Sequence, residues 1–184
     1  MRQSLSLHPD SQSSVVTHID VTIERPKPDH LMLSYAVTGK IDDIRMPAVK
    51  AATRSDELWR KTCFEAFVGV STSAEYYEFN FAPSTQWAAY RFTGYRSGMC
   101  VASEITLMPI ETQSNRDTYT LQALLELDRL SGLQRDGSWR LGLSVLIEDT
   151  SGRTSYWALA HPTGKPDFHH TDCFRHEFSP GTRS

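Results

Sequence analysis

The chain has 184 residues, 39% of them hydrophobic and 22% charged, a composition that excludes a disordered or collagen-like protein and suits one domain with a substantial core. Nineteen Lys and Arg stand against 22 Asp and Glu, for a net charge of −3, so no basic excess marks a nucleic-acid-binding protein. No run approaches the roughly 18 apolar residues of a membrane span, and the opening MRQSLSLHPDSQSS lacks the apolar stretch of a secretory signal.

Cys63, Cys100 and Cys173 are odd in number and far apart, with no CxxC pair. That pattern is neither a disulfide framework nor a zinc knuckle; it predicts reduced thiols in a cytoplasmic protein. A single domain over 1–184 follows, without nucleic-acid or membrane partners.

Period-two alternation dominates, and it puts alternate side chains on opposite faces of a strand. In 14–24 the set Val15, Thr17, Ile19, Val21 and Ile23 shares one face, and in 31–37 the set Leu31, Leu33, Tyr35 and Val37 does. The prolines of 25–29 (RPKPD) predict the turn of a hairpin between them. The stretch 40–58 has neither period and reads as a long loop over one mouth of a sheet, a kind of loop that is often functional.

Further strands are predicted over 63–70, 76–82, 87–92 and 101–110, then over 118–128, 139–147 and 155–161. Phe64, Ala66 and Val68 face inward on one, and Tyr77, Phe79 and Phe81 on the next. Leu121, Leu124 and Leu125 also fit a helical face, but the odd-position pattern from Tyr119 to Leu127 favours a strand, with a short helical turn at 128–133. So many short strands and almost no helix predict an all-β sandwich or barrel.

GxSxG, GxGxxG, GxxxxGK[ST] and HExxH do not occur, so no catalytic residues and no metal ligands are assigned. Three segments carry the functional signal: 57–67 (ELWRKTCFEAF), 75–91 (EYYEFNFAPSTQWAAYR) and 156–170 (YWALAHPTGKPDFHH). The first two leave Glu65, Glu78 and Asn80 on the face opposite the core. With Trp87 and Arg91 on the following strand, and Trp59 and Arg60 at the edge of the charged loop, they compose a polar surface flanked by aromatics. Such a surface suits a ligand with polar edges and an apolar face, such as a sugar. The same residues also permit a plain Glu65–Arg91 cross-strand ion pair, and Trp157 fits a core position as well as a ligand contact. His161, Lys165, Asp167 and His169 lie on a proline-fixed turn in the third segment. Adjacent His169 and His170 point opposite ways on an extended chain, so they do not jointly suit one metal.

The order WxxTCFEAF, YYEFNFAPS–WAAYRF and YWALxHPxGKPDFHH, over about residues 4–178, resembles the bacterial DOMON-like proteins, which are related to family 9 carbohydrate-binding modules. The resemblance implies a jelly-roll-like antiparallel β-sandwich that binds a small molecule, with a saccharide as the first expectation. In the sugar-binding relatives two tryptophans stack on the ring, which makes Trp59, Trp87 and Trp157 candidates, with Glu78, Asn80 and Arg91 as polar partners. In the haem-binding relatives a Met and a His or Lys hold iron; the analogues are Met99 with His161, Lys165, His169 or His170. A non-catalytic carbohydrate-binding module without a cofactor is therefore the leading reading. A haem-binding electron-transfer module and an accessory or interaction domain of an enzyme are the alternatives. The site is placed at the mouth formed by loop 43–60, the outward face of 63–70 and 76–82, and the turn 161–170.

Overall fold

The computed structural model describes residues 1–133 and 138–178. Twelve strands follow in chain order: β1 Arg2–Leu7, β2 Val16–Lys27, β3 His30–Gly39, β4 Cys63–Val70, β5 Tyr76–Phe81 and β6 Trp87–Phe92; then β7 Cys100–Val101, β8 Ile110–Ser114, β9 Thr118–Glu126, β10 Trp139–Glu148, β11 Thr154–Ala158 and β12 His176–Phe178. Helix is confined to three single 3-10 turns at Ile41–Asp43, Leu58–Arg60 and Thr171–Cys173 among the described residues. The chain is all-β, as its alternation predicts.

Two antiparallel sheets form the sandwich. The first runs β8-β9-β3-β2-β1 and the second β7-β6-β5-β4-β10-β11, with β12 also on β10. Strand β1 joins them: Arg2 to Leu5 pair with β2, and Ser6 and Leu7 pair with Ala158 and Trp157 of β11. The facing sides of both sheets fill one core, in which Ile19, Leu33, Tyr35 and Leu121 meet Phe64, Phe79, Phe81 and Val145. Tyr35 crosses that core to stack edge-on against Phe64, ring centres 5.3 Å apart, and its hydroxyl donates to the Glu65 carbonyl at 2.8 Å. All three cysteines are free, Cys63 and Cys173 buried and Cys100 exposed.

Several boundaries differ from the sequence reading. The predicted strand 101–110 pairs only at Cys100–Val101, and strand structure resumes at Ile110. Between them Ala102, Ile105 and Met108 are buried at three-residue spacing, so these apolar residues anchor a loop rather than alternate across a sheet. The helical turn expected at 128–133 is instead two successive tight turns, in which the Leu130 and Leu133 amides donate to the Leu127 and Leu130 carbonyls. The hairpin turn is shorter than 25–29, because β2 continues through Lys27 and the chain reverses at Pro28 and Asp29.

The candidate ligand cleft

The middle of the second sheet is covered on both faces: every residue of β4 and β5 is buried. Its outward face holds a second aromatic cluster, Phe67, Tyr76, Tyr90 and Phe92, covered by Leu58, Trp59, Phe168 and Phe174. Chain segments 57–60, 93–99 and 161–174 therefore wall an outward face that would otherwise be open. Between them lies a cleft of about 420 Å³ lined by Trp59, Phe92, Met99, Leu146, Tyr156 and Phe168 around Glu65, Glu78, Arg96 and His169.

Strand register sets the floor. Glu65 on β4 stands opposite Asn80 on β5 and Ser144 on β10, and Glu78 lies two residues along β5 on the same face. Ser144 Oγ donates to Glu65 Oε2 at 2.9 Å, and Asn80 Nδ2 donates to Glu78 Oε1 at 2.7 Å. The Cys63 thiol donates to Asn80 Oδ1 at 3.7 Å, which fixes the amide's orientation.

His169 descends onto the floor from the C-terminal segment. The Arg96 amide donates to the Tyr76 hydroxyl at 3.2 Å, leaving that hydroxyl's proton for His169 Nδ1 at 2.8 Å. The network thus assigns the neutral ring's proton to Nε2, which stands 3.7 Å from Glu78 Oε2. Asp167 fixes the wall above: it accepts from Arg96 Nη2 at 2.8 Å, from the Tyr95 hydroxyl and from the His169 amide at 3.1 Å.

Burial governs the protonation of this floor. Burial and the neighbouring Glu78 push the Glu65 carboxyl far above its ordinary range, against the Ser144 hydrogen bond. Burial raises Glu78 too, opposed by Asn80 and Arg96. His169 is driven down to about 4 by burial and the Arg96 charge. Asp167 stays below the usual carboxylate value, because the bonds from Tyr95 and Arg96 outweigh its burial. At neutral pH the floor offers a neutral imidazole and a protonated Glu65 that can both donate and accept, beside Glu78, whose carboxyl burial also raises.

The structure brings together four of the residues singled out in the sequence: Trp59, Glu65, Glu78 and His169 line the cleft. Asn80 lies beneath, fully buried, and holds Glu78. Arg60 is exposed and pairs with Glu57 at 2.7 Å. Trp87 and Arg91 are on the other face of the sheet, since Phe81 pairs with Trp87 and Tyr77 with Arg91. Trp87 is in the core, and Arg91 bonds Glu75 at 2.8 Å rather than Glu65. Either parity of WAAYRF mixes aromatic and small residues, so alternation alone does not orient that strand. Trp157 takes its core alternative, its indole N–H donating to Ser155 Oγ.

His161, Lys165 and Asp167 line a separate hollow of about 540 Å³ with His170, which meets the cleft at Arg96 and Pro166. Of the residues that resemblance suggested for iron, only Met99 and His169 reach the cleft. His169 has one nitrogen bonded to Tyr76 and the other facing Glu78. Sequence reasoning missed Arg96, Phe92, Tyr156 and Phe168. Phe92 shares the parity of Tyr90, so strand pairing carries a signal for it; Arg96, in the loop TGYRSG, has none.

No protein-family model matches the sequence, and no curated protein matches it at a significant level. Solved structures do match its fold. A proposed carbohydrate-binding protein of Bacteroides uniformis aligns over 95% of this chain and 84% of its own, at 13% identity and a TM-score of 0.72. A family 9 carbohydrate-binding module from Caldicellulosiruptor kristjanssonii, solved with glucose, aligns over 95% of this chain and 81% of its own, at 14% identity and a TM-score of 0.53. At those identities the likeness is one of fold: the chain is a β-sandwich similar to carbohydrate-binding modules.

Proposed function

We propose that the chain is a non-catalytic carbohydrate-binding module of the DOMON type that takes a saccharide in this cleft without a cofactor, in the cytoplasm. The observation that carries the reading is the pairing of an aromatic wall with a hydrogen-bonding floor. Trp59, held edge-on against Tyr90 with ring centres 5.7 Å apart, and Tyr156 and Phe168, ring centres 6.1 Å apart, supply apolar surface for the C–H face of a sugar ring. Glu65, Glu78, Arg96 and His169 supply donors and acceptors for its hydroxyls. The glucose bound by the Caldicellulosiruptor module agrees with that ligand class. Each polar group is already held by a neighbour, so little ordering entropy opposes binding.

Calorimetric titration against glucose, galactose, mannose, xylose and their β-1,4-linked disaccharides tests the proposal. At least one sugar should bind, and prolonged incubation should leave it uncleaved. Trp59→Ala and Glu78→Gln should each weaken the best ligand about tenfold or more, with the melting temperature nearly unchanged. A panel without binding, or variants that melt lower while affinity is intact, overturns the assignment.

A further inference from the structure

The hollow beside the cleft is built differently. It is polar, it is walled by the loop Pro162-Thr163-Gly164-Lys165-Pro166, and it meets the cleft along Arg96 and Pro166. Thr163 and Lys165 are exposed, and Lys165 has no hydrogen-bond or ion-pair partner among the described residues. The loop is nonetheless fixed. Two prolines and Gly164, at φ +99°, set its path. Asp167 ties its end to Arg96 and Tyr95, and the Cys173 thiol donates to the Asp167 carbonyl at 3.2 Å.

We infer that the ligand is at least a disaccharide, with one sugar in the aromatic cleft and the next in the polar hollow, their linkage crossing Arg96. The inference rests on the carbohydrate reading and specifies its substrate. Cleft and hollow each have a volume typical of a small-ligand site, and they lie side by side, with Arg96 and Pro166 lining both. Stacking selects a ring in the first; in the second, the hydroxyls of Thr163 and Tyr95 and the three donors of the Lys165 ammonium suit the hydroxyl rim of a neighbouring unit. Lys165 is the residue with most to gain, because its donors are unspent on the protein. It belongs to the second position alone.

The same sugar panel, titrated into the full chain and into Lys165→Ala, provides the test. The best disaccharide should bind at least about tenfold more tightly than its monosaccharide. Lys165→Ala should lower disaccharide affinity about three- to tenfold, as expected for one lost hydrogen bond, and leave monosaccharide affinity unchanged. Equal affinity for monosaccharide and disaccharide overturns the inference and leaves the carbohydrate reading standing. So does a Lys165→Ala variant that weakens both sugars alike, or neither. Absence of binding by every sugar overturns both.

Discussion

Two carboxyl groups and an imidazole, all withdrawn from water, give the cleft a dependence on pH with two opposite limbs. The folded state holds the Glu65 proton well above the pH at which an unfolded glutamate releases it, chiefly through burial and then through Glu78. Its contribution to stability is fully present below the unfolded value and is lost as pH rises into the alkaline range. His169 works in the other direction. Its folded value, about 4, lies below its unfolded value of 6.5, so its contribution is present above the unfolded value and lost as pH falls towards the folded one. Glu65→Gln keeps an acceptor for Ser144 and removes the like charge beside Glu78. Thermal unfolding of this variant at about pH 9 should occur several degrees above that of the parent, with little difference at about pH 5. A variant that melts lower at both values would show that Glu65 is not held in its acid form by the fold.

At the scale of elements, the site exists because loops are pinned onto a sheet face that strands alone would leave open. The loop between β3 and β4 is fastened by Arg54, whose guanidinium donates to the carbonyls of Ala89 and Ala102 at 2.9 Å and of Ile105 at 3.3 Å. It lies over the Trp87 ring, 4.8 Å from its centre, so Trp87 anchors the loop from beneath instead of meeting a ligand. Removing the guanidinium takes away three partly buried hydrogen bonds at once, although the Ala89 and Ala102 carbonyls keep the amides of Ala102 and Ile105 as donors. Arg54→Ala should therefore cost about 2–3 kcal/mol by chemical denaturation, and Arg54→Lys, without the planar fork, should recover only part of it. Strand parity explains what the sequence did and did not reveal. In β4 and β5 the acidic and amide residues alternate strictly with Phe, Ala and Val, so the floor was legible. The cover was not: Phe168 and Phe174 are aromatic residues in segments without period, and nothing local says which sheet face they close. Arg96 is beyond local reasoning altogether, since its place depends on Asp167, 71 residues away.

For the whole molecule, the short first strand holds the two sheets together. Its six residues carry only Leu5 fully into the core, and this weak alternation explains why the sequence reading passed over it. Its importance is topological. Arg2 to Leu5 extend the first sheet through β2, with Arg2 and Ser4 both donating to the Asp20 carboxylate. Ser6 and Leu7 continue the second through β11. His8 follows, almost wholly buried against the His161 ring, with centres 4.8 Å apart, so the strand also braces the loop that lines the hollow. A chain beginning at Pro9 would expose the hydrogen-bonding edges of both β2 and β11, the kind of unprotected edge that drives strand-to-strand aggregation. The expected outcome is loss of the cooperative thermal transition, species larger than the parent on size-exclusion chromatography, and loss of the binding proposed for the cleft along with the fold. Leu5→Ala removes a single buried side chain and keeps the backbone ladder. It should keep the parent's elution volume and the binding proposed for the cleft while losing about 2–4 kcal/mol of stability. A truncated chain that elutes as the parent does and melts within a degree or two of it would show that the sheets are held by core packing alone.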